Sequence, residues 1–322
     1  ILDGLRQLCT NYGATVLVST ATQPAFDHLP ILADLPAHDI LPDAAYWAAA
    51  LRRVTYDWRL DPPMDWPAIA ALLRAQPQAL AILNTKQDAL DLLAALHDPD
   101  ALHLSTLLCG AHRRDVLAQV KQRLAAGQPC RLIATQVVES GVDLDFPLVL
   151  RALGPLDRIA QAGGRCNRDG RPARGQVLIV DPASGRMPPG AYRTATQITR
   201  RMVRQRHDQC DPTNPATMRG YFRHLFAVSD LDPLGIQDLR AAWQFPLVAD
   251  AVRMLPDDSG EVIVSYGDAA TRAQIQADIT ALQHDQPGTR DILRRLQPWL
   301  VAVPTGTIPA CQAQGWLAPL RP

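Results

Sequence analysis

Gln161, Arg165 and Arg168 stand four and three residues apart, beside the pair Gly163-Gly164, in the stretch IAQAGGRCNRDG. A planar guanidinium offers a fixed fork of N–H donors, which suits phosphoryl oxygens on which charge develops during transfer. If the helix expected over 155–163 continues, the three side chains project to one side. Just upstream, RLIATQ reads as a buried strand that delivers Thr135 and Gln136 at its end, and Gly141 lets the backbone approach a ligand closely before Asp143 and Asp145. A strand-end hydroxyl beside a tight turn suits a phosphate contact, while the aspartates suit a ribose hydroxyl or an arginine partner. The competing reading is an Arg/Asp surface network that joins Asp143, Asp145, Asp157 and Asp169 to the arginines.

Such a site needs elements that present it at one edge. The first 13 residues place Leu2, Leu5 and Leu8 on one helical face and stop at Gly13. Val16, Leu17 and Val18 then read as a short apolar strand of a covered sheet, with the polar Ser19-Thr20-Ala21-Thr22 at its carboxyl end. Residues 27–45, rich in Pro and Asp, read as an interdomain connection. From there strands at 52–60, 79–84, 101–104, 131–136, 147–152 and 176–182 alternate with helices at 66–75, 86–97, 112–126 and 155–163. That rhythm predicts an α/β fold, a RecA-like parallel sheet with flanking helices over 46–185.

Past residue 185 the rhythm changes. A proline-rich turn, MPPG, precedes a linker helix within 186–209 that bears Arg193, Arg200, Arg201, Arg204 and Arg206. Residues 210–322 read as a smaller mixed accessory domain with a strand at 261–266, helices near 270–283 and 288–297, and a final extended WLVAVP. The arginine run is either a lining for a nucleic-acid channel or a solvated helix face. Tyr221, Phe222 and Phe226 fit core packing better than a stacking platform.

Bulk composition excludes several classes. The chain has 322 residues, of which 47% are hydrophobic and 20% charged, which is enough to build real cores. Basic and acidic residues number 32 each, so no global positive charge advertises a polyanion partner. Lys86 and Lys121 are the only lysines; arginine supplies every other basic position. Six scattered cysteines form no CxxC pair, which points away from zinc and disulfides and toward a reducing cytoplasm. No unbroken apolar stretch approaches the roughly 18 residues a membrane span needs. The chain starts at Ile1 within a helical pattern, so it is expected to be a piece of something longer.

Four segments together, VLVSTATQPAF, LNTKQDALDLLAAL, LHLSTLLCGAHRRDVL and above all ATQVVESGVDLDFPLVLRALGPLDRIAQAGGRCNRDG, resemble the later motifs of superfamily 2 helicases. More narrowly they resemble the carboxy-terminal portion of the CRISPR-associated helicase-nuclease of type I systems. The resemblance implies that the segment around Thr20 and Thr22 couples ATP state to DNA grip. It implies that Asn84, Thr85, Ser105, Arg113, Thr135 and Gln136 face the backbone of single-stranded DNA, although Thr85 also suits a plain helix cap and His112 is as readily structural. Gly141 and Asp143 belong to the nucleotide region, and Gln161, Arg165 and Arg168 form the final motif, with the two arginines reaching for ATP. The family commonly has Ala-Gly where this chain has Gly163-Gly164.

The same resemblance places the remaining chemistry upstream. No GxxxxGK[S/T] phosphate loop and no DExH box occur in the sequence. ATP and Mg²⁺ are therefore expected to be held mainly by an amino-terminal RecA-like domain, and the nuclease metal by an HD domain ahead of it. The implied partners are that amino-terminal portion, single-stranded DNA and an RNA-guided surveillance complex, with no membrane. Other readings are a non-catalytic docking module for such a complex and a self-contained nucleotide switch.

Overall fold

Strands built almost wholly from Ala, Val, Leu and Ile need cover on both faces, and a run of them joined by amphipathic helices meets that need as a helix-flanked parallel sheet. The computed structural model of the chain describes residues 2–20, 22, 24–32, 38–139, 141–170, 175–206, 210–252, 258–284 and 288–320. In chain order its elements are α1 (Leu2–Tyr12), α2 (Ala44–Ala50), β1 (Val54–Met64), α3 (Trp66–Arg74), β2 (Gln78–Ile82), α4 (Lys86–Leu96), β3 (Leu102–Leu104), α5 (Gly110–Ala125), β4 (Cys130–Ala134), β5 (Leu148–Ala152) and α6 (Leu156–Gly163). There follow β6 (Gly175–Pro182), α7 (Ala191–Arg206), α8 (Pro215–Val228), α9 (Ile236–Ala241), α10 (Phe245–Ala251), β7 (Ser259–Ile263), α11 (Ala269–Gln283), α12 (Thr289–Leu296), β8 (Leu300–Pro304) and α13 (Ile308–Ala313).

The chain divides into two compact units, one of residues 1–101 and 126–231, the other of 102–125 and 232–322. In the first, the strand order is β1-β6-β5-β2-β4, all parallel. Ile69, Leu73, Leu92, Leu96, Ile133, Leu150 and Val180 build the core on one side of this sheet. The alternate strand positions Leu80, Ile82, Leu132, Val149, Val177 and Ile179 are buried as well, so the sheet is covered on both faces. Helix starts follow their side chains: Asp65 accepts from Ala68 N at 2.9 Å to cap α3, and Thr85 accepts from Asp88 N at 3.1 Å to cap α4. These elements are the α/β, RecA-like architecture that the alternation predicts.

One expectation fails, and one condition is not met. Val16, Leu17 and Val18 form no strand, and Leu17 is 70% exposed. A strand of a covered sheet is held by hydrogen bonds along its edges, and no described strand pairs with this segment. Helix α6 does not run on through Arg165 either, since it ends at Gly163 and Gly164 closes it with its N–H on the carbonyls of Ala160 and Gln161. With the helical register lost at the glycine pair, Gln161, Arg165 and Arg168 do not share a helical face.

In the second unit, β7 and β8 pair antiparallel, and Ile275, Leu282, Ile292 and Leu296 make a small core. Arg295 of α12 grips Asp278 of α11 at 2.6 Å. His112 stacks on Tyr266 with ring centroids 4.2 Å apart, and the Tyr266 hydroxyl donates to Asp115 at 2.9 Å.

Candidate nucleotide and nucleic-acid site

The loop after β4 carries much of the site. Thr135 is buried at the strand tip, and Gln136 donates from Nε2 to the Asn84 carbonyl at 2.9 Å, tying the tips of β4 and β2 together. Asn84 is itself buried; its Nδ2 donates to the Leu153 carbonyl at 2.8 Å, and its Oδ1 accepts from Arg151 and from the Tyr192 hydroxyl, each at 2.7 Å. Thr85 spends its hydroxyl on the α4 cap. Gly141 takes φ +71° in open space, a left-handed turn that an L side chain rarely adopts.

Arg165 and Arg168 separate. Arg165 is 8% exposed; its Nε donates to the Val138 carbonyl at 2.8 Å and its Nη2 to the Glu139 carbonyl at 2.9 Å. Burial, and then repulsion from Arg168, lowers its hold on its proton, with Asp143 opposing. Arg168 is half-exposed and meets the exposed Asp143 at 2.8 Å. Asp145 accepts from the Arg168 and Asp169 backbone N–H groups at 2.7 and 3.3 Å, which fixes the turn bearing Arg168. That turn lines a cleft of about 660 Å³ shared with Trp47, Arg52, Arg53, Tyr56 and Gly164. The Arg/Asp network thus exists at Asp143 and Asp145, and Arg168 remains half-exposed among the residues lining the cleft. Gln161 lies on α6 within reach of Arg158, whose guanidinium donates to it at 3.4 Å. Next to these, the buried Cys166 thiol is pushed up to about 12, by desolvation first and Asp145 second, so it is no nucleophile at neutral pH.

The remaining candidates lie apart from this cluster or in the other unit. Thr20 bonds locally, its hydroxyl 3.3 Å from the Thr22 backbone N–H; Ala21 lies outside the described residues. Ser105, in the second unit, is fully buried; its hydroxyl meets His103 Nε2 at 2.8 Å and accepts from the Leu107 N–H at 3.1 Å. Arg113 of that unit has a buried Nε without a hydrogen-bond partner among the described residues. In the arginine-rich helix, Arg200 pairs with Asp181 at 2.6 Å and Arg204 with Asp61 at 3.4 Å, while the Arg206 side chain lies outside the described residues. Tyr221 is fully buried with its hydroxyl on Asp157 at 3.0 Å, a core position.

Sequence reasoning missed Arg151 and Glu139. Arg151 is fully buried inside an otherwise apolar strand, and its guanidinium stands 3.0 Å from the buried Glu139 carboxylate. A lone charge in PLVLRA was the available signal, because a buried charge requires a partner. Desolvation holds the Glu139 carboxyl above the usual carboxylate range, even with Arg151 and Arg158 beside it.

Gly163 is explained by Tyr56. A Cβ at Gly163 would collide with the Tyr56 hydroxyl, which is buried with no hydrogen-bond partner among the described residues. The glycine closes α6 rather than starting it, so it answers a packing demand. Gly163→Ala is expected to cost about 1–3 kcal/mol in urea denaturation through overpacking. In a Tyr56→Phe background much of that cost disappears, because the hydroxyl is gone; an equal cost in both backgrounds refutes the explanation.

Strand order and edge loops of this kind define a RecA-like α/β domain. Residues 75–171 match the family model described as CRISPR-associated nuclease/helicase Cas3, C-terminal. Over those residues the chain is similar to the carboxy-terminal portion of Cas3 proteins. A CRISPR-associated nuclease/helicase Cas3 from Haloferax volcanii is 46% identical over 69 residues, covering 20% of this chain and 7% of the relative. The Cas3 of Methanothermobacter thermautotrophicus is 28% identical over 96 residues, covering 30% of this chain and 12% of that protein. Among solved structures, T. fusca Cas3 and T. fusca Cas3-ATP each share the fold at TM-score 0.50, with 19% and 18% identity, over 80% of this chain and 36% of theirs. The chain thus spans well under half the length of these relatives. Among the described residues, no helix is long and apolar enough to cross a membrane.

Proposed function

We propose that this chain supplies the second RecA-like half of an ATP-driven single-stranded DNA translocase that feeds a nuclease in CRISPR interference. The observation that carries the reading is Arg168, held on an Asp145-braced turn at the rim of a cleft and paired with an exposed carboxylate. An ATP γ-phosphoryl group held by an amino-terminal domain displaces Asp143 and takes the guanidinium fork in its place. Arg165 braces the turn by holding the Val138 and Glu139 carbonyls. The ATP named in the T. fusca structure supports this choice of nucleotide.

Mg²⁺ is proposed to take its protein ligands mainly from the amino-terminal domain. Closing and reopening of the cleft with ATP binding and hydrolysis converts chemical free energy into movement along DNA. Asn84, Thr85, Thr135 and Gln136, at the tips of β2 and β4, are the candidate contacts to the sugar-phosphate track, which makes binding salt-sensitive and only weakly sequence-selective. An RNA-guided surveillance complex is the partner that delivers the strand.

The test is DNA-stimulated ATP hydrolysis by this chain alone and with an amino-terminal half supplying the phosphate loop. The expected result is negligible turnover alone and robust, salt-sensitive, DNA-dependent turnover once the halves are joined. Turnover by the isolated chain would refute the reading in favour of a self-contained switch; binding to DNA or a surveillance complex with no turnover in either case would favour a docking module.

A further inference from the structure

We propose that Glu139 and Arg151 are positioning residues that tie the turn carrying the nucleotide arginines to the strand tips that face DNA, so that each reports the state of the other. This rests on the translocase reading and specifies how its two sites communicate. The physical connection is continuous within the first unit. Arg165 holds the backbone carbonyl of Glu139 at 2.9 Å, and the side chain of that same residue meets Arg151 at 3.0 Å. Arg151 in turn donates to Asn84 Oδ1 at 2.7 Å and to the Tyr192 hydroxyl of α7 at 2.9 Å. Asn84 receives Tyr192 as well, and its backbone carbonyl receives Gln136 from the same loop as Glu139. Any displacement of the 136–139 turn by Arg165 is therefore felt at Asn84 and Gln136 through one charged link.

Packing alone does not account for this link. A buried ion pair contributes little net stability relative to apolar residues of the same volume. The site nonetheless keeps it, and Gly154 keeps room for it: a Cβ there would stand 2.9 Å from the Tyr192 hydroxyl and 3.2 Å from Arg151 Nη2. Glu139 also has a second cation in reach, since Arg158, half-exposed on α6, lies 3.7 Å from its other oxygen. A carboxylate between one buried and one exposed arginine has two discrete arrangements, shared by both or held by Arg151 alone. A link with two such states is what transmission of a shift requires.

The experiment uses the protein with both helicase halves and compares wild type with Glu139→Gln, Arg151→Met and the double variant. It reads the ratio of DNA-saturated to DNA-free ATP turnover, the KM for ATP and the melting temperature. The expected result is a fall of about tenfold in that ratio for Glu139→Gln, the size of a typical coupling between sites, with KM near the wild-type value. The double variant melts above Arg151→Met and does not regain the ratio, which keeps the test valid if Arg151→Met alone fails to fold. An unchanged ratio in folded Glu139→Gln overturns the proposal, as does a proportional loss of both turnovers that tracks the folded fraction. A wild-type protein without DNA stimulation sinks the translocase reading and this link together; a stimulated wild type and an equally stimulated Glu139→Gln sink the link only.

Discussion

Replacing Arg168 with alanine in the protein that carries both helicase halves is expected to lower DNA-stimulated ATP turnover by about 10³-fold or more, the usual worth of an arginine that neutralises a transferring phosphoryl group. The ground state does not oppose that role. The Arg168–Asp143 pair is exposed on both sides, and such pairs contribute about 0–1 kcal/mol. Releasing Asp143 for a triphosphate is thus inexpensive beside the transition-state gain. Arg168→Lys restores charge without the planar fork and should recover only a small part of the rate. Arg165→Ala behaves differently, because its guanidinium is committed to two backbone carbonyls; it should loosen the 136–139 turn and lower the melting temperature as well as the rate. Steady-state turnover under saturating DNA, with melting curves of the same preparations, separates the two. Arg168→Ala with turnover within a few-fold of wild type removes the basis for a nucleotide role at that turn.

Arg151→Ala should be the most destabilising single substitution at the strand tips, at about 3–5 kcal/mol in urea denaturation, because it leaves a buried carboxylate without its cation. The loss has three parts: the Glu139 carboxylate at 3.0 Å loses its cation, and the Asn84 oxygen at 2.7 Å and the Tyr192 hydroxyl at 2.9 Å each lose a donor. Glu139→Gln alone should cost less, since an amide retains polar contact with the arginine and removes a carboxylate whose ionisation burial already opposes. The combination Arg151→Met with Glu139→Gln should fall well short of the sum of the single effects, which is the signature of groups that interact. Additive costs would mean that the two side chains do not act as a pair.

Much of the fold was legible because local rules and long-range demands agree. Residues 79–82 and, apart from Arg151, 148–152 are apolar without alternation, and such runs belong to strands covered on both faces. Asp65 and Thr85 announce the starts of α3 and α4 through their side chains. The segment at 16–18 carries the same apolar signal yet forms no strand, because apolar character specifies a need for cover and not the presence of a neighbour to pair with. At the site, residue types and spacing singled out the 135–168 region as the candidate. The directions of its side chains were not, since they depend on where α6 stops.

The sequence by itself determined the alternating α/β layout, the helix caps and which loop holds the strand-end hydroxyls and the arginines, because these follow from periodicity and short-range hydrogen bonding. Only the tertiary structure decided that Arg165 turns inward while Arg168 stays at a cleft, that Tyr56 requires glycine at position 163, and that Arg151 finds Glu139 and Asn84 inside the sheet edge. Each of those outcomes depends on partners distant along the chain, and the energy of a buried charge or a close contact exists only once they meet.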